Sequence, residues 1–216
     1  MFKGTPEIIE ERREEIIDAC EKLYQSMNFK DLTFKEIGNE TSFSRPTIYN
    51  YFKTKEEIVL AMIEREFERW NADLEGISNS GQTYSKEQLA ELIAGTLEKR
   101  GQMLKLICTN SHEMEANSDE ELLGSFRKGL RKTVQIFEAI IQKNFPEMSH
   151  EEIMGIVYVF FPFMVGISPY TMITDKQKKV MEEDEADLFK HTIHELTYNC
   201  LIRLLNNKLE NDIYGE

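Results

Sequence analysis

Arg45, Thr47, Tyr49, Asn50, Tyr51 and Lys55 bring cationic, hydroxyl and amide side chains together within eleven residues. These are the groups that bind double-stranded DNA. A guanidinium fork matches guanine O6 and N7, so Arg45 is the best base reader in the run, with Thr47 and Asn50 as weaker candidates. Tyr49, Tyr51 and Lys55, joined by Thr33 upstream, suit phosphate oxygens, which fix register without reading sequence. Ser44 and Pro46 complete the candidate surface.

Other chemistry finds little support. Glu147-Met148-Ser149-His150 matches Glu-x-x-His, but it occurs once and at a helix start, whereas a di-iron site needs two such motifs and two further glutamates inside long helices. His191, His194 and Glu195 lie within one turn, yet no further ligand is suggested nearby. Cys20, Cys108 and Cys200 are odd in number, 88 and 92 residues apart, and predict buried apolar residues, neither a disulfide framework nor a zinc site. No glycine-rich phosphate loop or G-x-S-x-G elbow is present. The expectation is therefore no catalytic residue, no metal and no cofactor.

The stretch that positions the binding residues runs from Thr33 to Lys55. Thr33 and Glu36 have capping-box spacing and start a first short helix with Phe34 and Ile37 inward. Thr41-Ser42-Phe43 interrupts it. Ser44 caps a second helix with Pro46 in its first turn, where proline's missing N–H is harmless, and Ile48 and Phe52 turn back to the core. This is the spacing of a helix-turn-helix with its recognition helix second.

On these residues the chain resembles the DNA-binding domain of the tetracycline-repressor (TetR) family. The family pattern has an aromatic before Thr, then Thr-x-Tyr-x-Tyr/His-Phe-x-x-Lys-Glu, and Phe29, Thr33, Ile37, Phe43, Ser44, Thr47, Tyr49, Tyr51, Phe52, Lys55 and Glu56 fit it. The likeness covers roughly residues 8 to 75. Asn28, Gly38, Ser42 and Pro46 depart from the usual glycine, alanine, glycine and glycine. Ser42 at a turn position that favours positive φ carries an expected cost of about 1 kcal/mol.

Charge needs explaining in a DNA-binding protein, because the 216-residue chain has a formal net charge of −13. From Asn28 to Lys55 five cations face three anions, a local +2, which leaves −15 on the rest. Only the local patch can hold phosphates; acid elsewhere repels the duplex and orients docking. Few phosphate contacts per subunit argue for a dimer. The N-terminus lacks the apolar core of a signal peptide, and no stretch is long enough to span a bilayer, which predicts a cytoplasmic protein without membrane contact.

The predicted fold is all-α: a three-helix helix-turn-helix domain over 1–54, a connecting helix over 54–79 and a helical domain over 80–216. The first helix, Glu7 to Met27, braces the motif, and its cluster of Glu7, Glu10, Glu11, Glu14 and Glu15 reads as a solvated face. Thr54 and Glu57 open the connecting helix, whose stripe of Val59, Ile63, Phe67, Trp70, Leu74 and Ile77 runs to Asn79-Ser80-Gly81. At 1.5 Å per residue it spans roughly 36 Å. Caps at Ser85, Ser118 and Ser149 predict helices near 85–107, 109–117, 118–144 and 149–168, followed by one near 184–209.

Residues 153–167 are apolar nearly all round, broken by Pro162, and the final helix has a broad apolar face. The helices near 149–168 and 184–209 can thus form a four-helix bundle with their two-fold mates, or simply fill the monomer's core. The resemblance favours the bundle. It also implies an unknown small-molecule effector in the C-terminal domain, for which Met103, Ile107, His112, Met114, Phe126, Phe137, Tyr158, Phe161, Phe163, Met164 and Tyr170 are the candidates by type. The function implied is a ligand-responsive regulator that binds a pseudo-palindromic operator as a homodimer, a repressor released by its effector. The alternatives are an activator, or a regulator governed by a protein partner with no small-molecule site.

Overall fold

The computed structural model describes residues 5–173, 176, 179 and 191–206, excluding the side chains of residues 110, 111, 112 and 115. Every regular element among them is helical, as the sequence predicts. In chain order these are α1 (Pro6–Tyr24), a 3-10 turn (Phe29–Asp31), α2 (Phe34–Asn39), α3 (Arg45–Ile48), α4 (Lys55–Ser78), α5 (Lys86–Glu98), α6 (Gly101–Asn117), α7 (Glu120–Asn144), α8 (His150–Gly166), α9 (Ser168–Thr171) and α10 (Ile193–Asn206). The described residues cluster into two compact units, one from Met1–Arg65 with Asn110–Lys128, the other from Glu66–Thr109 with Gly129–Glu216.

Three helix boundaries differ from expectation. The helix read as 85–107 ends at Glu98. Arg100 N–H donates to Leu97 O at 2.9 Å, its guanidinium turns to Asp73 at 2.7 Å and Glu66 at 3.7 Å, and the chain restarts as α6 at Gly101. A Cβ on Gly101 would stand 3.4 Å from Ile193 Cδ1, so the restart brings α6 close to α10. The last helix starts at Ile193, because Thr192 and Glu195 exchange both capping bonds, at 2.9 and 3.0 Å; residues 184–190 and 207–209 of the predicted helix lie outside the described residues. The third difference lies before α7, where Asp119 Oδ1 accepts from Glu121 N–H at 2.8 Å while the Ser118 hydroxyl is buried without a partner. A carboxylate is the stronger acceptor for a helix-start N–H, and it displaces the hydroxyl.

Boxes at Ser85–Gln88 and Ser149–Glu152 close in both directions. Thr54 accepts from Glu57 N–H at 3.1 Å, but the Glu57 carboxylate reaches one residue further back, to Lys53 N–H at 2.6 Å. Helix α4 ends before Gly81, whose φ of +72° is left-handed and reverses the chain without a Cβ penalty.

The second unit is built on large apolar side chains. Trp70, Phe67, Phe137 and Phe160 are almost fully buried, with Leu89, Ile93, Met103, Ile140, Ile153 and Leu201 around them. Phe137 and Phe160 stack at 4.9 Å, Phe161 meets Phe137 edge-on at 5.7 Å, and α10 packs along α5. Trp70 Nε1–H donates to the Thr96 hydroxyl at 2.9 Å and that hydroxyl in turn donates to Ile93 O at 2.8 Å, which satisfies the indole donor in an apolar core.

Candidate nucleic-acid interface

The first unit sets the binding residues by burying alternate positions. Ile37, Ile48 and Phe52 are 2% exposed or less, which fixes the inner face of α2 and α3. Helical bonding continues past α3, with Tyr51 N–H donating to Ile48 O at 2.8 Å and Phe52 N–H to the same carbonyl at 3.0 Å. Residues 45–52 therefore form one recognition segment. Arg45, Pro46, Tyr49, Asn50 and Ser44 face outward on it, Thr47 and Tyr51 are half-buried, and Thr33 is exposed at the start of α2.

Capping in the motif is weaker than its spacing suggests. Thr33 accepts from Glu36 N–H at 3.4 Å, but the reciprocal bond is absent and Glu36 Oε2 is buried without a partner. The Ser44 hydroxyl lies 3.4 Å from the Thr47 hydroxyl and takes no backbone N–H, so Ser44 occupies the cap position without closing it. The segment's shape comes from packing. Tyr49 lies 4.5 Å from Phe34 and Tyr51 lies 6.4 Å from Phe43.

Arg45 is held ready by its neighbour one turn on. Its Nη2 donates to the Tyr49 hydroxyl at 3.0 Å, with the guanidinium carbon 5.6 Å from the centre of the Tyr49 ring. Stacking on a ring that is itself packed limits the rotamers Arg45 explores. Lys55 is turned inward: its ammonium donates to Phe29 O at 2.9 Å and sits 4.2 Å above the Phe29 ring. One of its three donors is thereby committed to the fold.

Helix α1 braces this surface through carboxylates that composition alone assigns to solvent. Glu15 accepts from Ser42 N–H and from the Ser42 hydroxyl at 3.1 Å, and Lys22 pairs with Glu40 at 2.5 Å, so the start and the middle of the interhelical turn are tied to α1. No residue other than glycine has a positive φ among the described residues, so the cost expected at Ser42 is not incurred. Arg65 on α4 binds Glu14 at 3.1 Å, Asp18 at 2.5 Å and also Glu21. Burial works against the Arg65 charge, but its bond to Asp18 and the field of Glu21 outweigh it and hold the guanidinium above its ordinary pKa. Cys20 lies within this brace, its thiol pushed up to about 12 by burial; Cys108 and Cys200 are only half-buried.

Lys53, one of the five cations of the 28–55 patch but not among the residues assigned a DNA contact by sequence, pairs with Asp119 Oδ2 at 3.1 Å. Sequence spacing holds no signal for it, since the partners are 66 residues apart.

The ligand candidates scatter. Met103, Phe137 and Met164 are buried in the second unit with Ile107 at its edge, and Phe161 and Phe163 are half-buried there. Met114 and Phe126 belong to the first unit. Tyr158 is 58% exposed on the outer face of α8 and Tyr170 is also exposed, while Phe160 fills the inner position. The His112 side chain lies outside the described residues. His191 faces Glu195 at 3.7 Å and His194 faces Glu91 at 3.1 Å, so they do not converge, and His150 pairs with Glu138 at 3.0 Å. Among the described residues no three His, Cys, Asp or Glu side chains are placed to hold a metal.

A helical pair with its second member projecting arginine, hydroxyl and amide groups outward defines a helix-turn-helix protein. Residues 16–62 match the family described as Bacterial regulatory proteins, tetR family, and residues 64–205 match the Tetracyclin repressor-like, C-terminal domain. The chain belongs to the TetR family of transcriptional regulators, which is not a family of enzymes. It is similar to the HTH-type transcriptional regulator HbdR of Aromatoleum sp. (strain CIB), 29% identical over 69 residues, or 32% of this chain and 30% of that relative's length. Its fold is that of FadR from Bacillus subtilis, solved in complex with stearoyl-CoA (TM-score 0.57, 17% identity, 89% of this chain and 97% of that one). It is likewise that of Thermus thermophilus FadR in complex with lauroyl-CoA (TM-score 0.57, 16% identity, 95% and 100%).

Proposed function

We propose that this regulator binds a pseudo-palindromic operator as a homodimer, represses transcription there, and is released by a small-molecule effector. The observation that carries the DNA-binding part is the outward row of Arg45, Tyr49 and Asn50, with Thr47 half-buried beside them, over the buried side chains of Ile48 and Phe52. Arg45 reads a guanine, Thr47 and Asn50 supplement it, and Thr33, Ser44, Tyr49, Tyr51 and Lys55 meet phosphates, with Pro46 in van der Waals contact. Residues 1–54 act as the DNA-binding domain and 80–216 as the ligand-binding and dimerisation domain.

The outer face of α8 supports the dimer. Tyr158, Val159 and Val165 are 36–58% exposed on one side of it, with Tyr170 and Met172 just beyond. Covering that face with a second copy sets two recognition segments for half-sites about 34 to 36 Å apart. The effector binds among the aromatic and methionine side chains of the second unit. Acyl-CoA thioesters are the first class to test, because two solved neighbours hold them. Effector and operator then oppose each other through one coupling free energy.

Duplexes selected from a random pool test the reading. Arg45→Ala should cost about 1 to 3 kcal/mol at one base step and relax specificity there. Unchanged preference would remove Arg45 from its role. Acyl-CoAs that neither raise the Tm nor displace the selected duplex would exclude that effector class.

A further inference from the structure

Two contacts run from the end of the recognition segment to the junction of α6 and α7, and a third joins α4 to α7, all within the first compact unit. Lys53 Nζ donates to Asp119 Oδ2 at 3.1 Å, the Thr54 hydroxyl donates to Asn117 O at 3.0 Å, and the Ser125 hydroxyl donates to Glu64 at 2.5 Å. Between them opens a cleft of about 490 Å³ with Tyr49, Asn50 and Tyr51 on one wall and Asp119, Glu121 and Leu122 on the other. Asp119 is pinned by its own helix, since Oδ1 caps Glu121 N–H, and it presents its second oxygen to Lys53. The Lys53 side chain is 75% exposed and lines the same cleft as Tyr49 and Asn50, so it borders the surface offered to DNA.

From this geometry we infer that Asp119 is an internal stand-in for a DNA phosphate: it holds the Lys53 ammonium in the free protein and must release it when the duplex docks. The inference rests on the DNA-binding reading above. An anionic oxygen about 3 Å from an ammonium is the contact a backbone phosphate makes, and a phosphate brought to Lys53 meets the like charge of the Asp119 carboxylate, so the two anions compete for one ammonium. Lys53 is held above the ordinary lysine range by its bond to Asp119, and Asp119 below the ordinary carboxylate range by the same bond. Two consequences follow. Asp119 weakens operator binding in the resting protein. A change that moves the α6–α7 junction alters affinity through Lys53 without touching α3.

The test uses the full chain and a duplex selected by the wild type, with Kd measured across a salt series for wild type, Asp119→Asn, Lys53→Gln and the double variant. Asparagine keeps an oxygen for Glu121 N–H, so α7 still starts correctly; Asp119→Ser, which also caps, is the second variant, and equal Tm values confirm folding. Asp119→Asn should bind about two- to fivefold tighter, the modest effect of an exposed ion pair. Lys53→Gln should bind more weakly, with its salt slope lowered by about one per subunit. The double variant should match Lys53→Gln alone.

If both Asp119 variants fold normally and bind no tighter, the inference fails. It also fails if Asp119→Asn tightens binding equally on the Lys53→Gln background, because Asp119 then acts only by its overall charge. A wild type that selects no duplex would overturn the DNA-binding reading itself, a result distinct from either.

Discussion

Both compact units bury an apolar core, and they differ in what is added to it. In the first, Arg65 gathers Glu14, Asp18 and Glu21, Glu15 holds Ser42, Lys22 holds Glu40 and Asp119 holds Lys53. In the second, stacked phenylalanines, Trp70 and buried methionines carry the packing, with few charges inside. Exposed ion pairs weaken with salt and exchange partners at modest cost, which suits a surface that must trade its own anions for phosphates. Apolar packing is insensitive to salt and deforms to admit apolar groups, which suits the proposed uptake of an effector.

Breaking each kind of tie separates them. The largest effect should come from Phe160→Ala, which opens a cavity beside Phe137 and should cost about 3 to 5 kcal/mol in urea unfolding, equally at low and high salt. Arg65→Ala should cost less, about 2 kcal/mol, and roughly half of that should vanish in 0.5 M salt, because its partners are partly solvated. A salt-independent Arg65→Ala loss would mean the brace is packing, and the contrast between units would collapse.

Smallest is a gain. A Cβ on Gly38 would sit 3.5 Å from Arg45 N and 3.6 Å from Ile48 Cδ1, ordinary contact distances. Gly38→Ala should therefore stabilise α2 by about 0.5 to 1 kcal/mol through lower unfolded-state entropy, and thermal melts would detect it. A loss instead would show that α2 and α3 are closer than these distances indicate.

Legibility followed the same divide. Ile37, Ile48 and Phe52 are inward by helical spacing, and that spacing alone places Arg45, Tyr49 and Asn50 outside. The ties that orient them are not local. Glu15 and Ser42 are 27 residues apart and Lys53 and Asp119 are 66 apart, and a carboxylate in an acidic run looks the same whether it faces water or a serine. Thr192-Ile193-His194-Glu195 was readable as a capping box but was obscured by an apolar stripe that continues upstream of it. In the second unit the residue types favour a pocket, yet type does not distinguish Phe137, buried in a stack, from Tyr158, exposed on α8.

The most direct test of the account is selection of duplexes from a random pool by the full chain, in parallel with its Arg45→Ala variant. The wild type should enrich a two-fold symmetric sequence with half-sites one helical turn apart, and the variant should lose preference at one base step in each half only. No enrichment by the wild type, or the same sequence enriched with equal affinity by the variant, would contradict it.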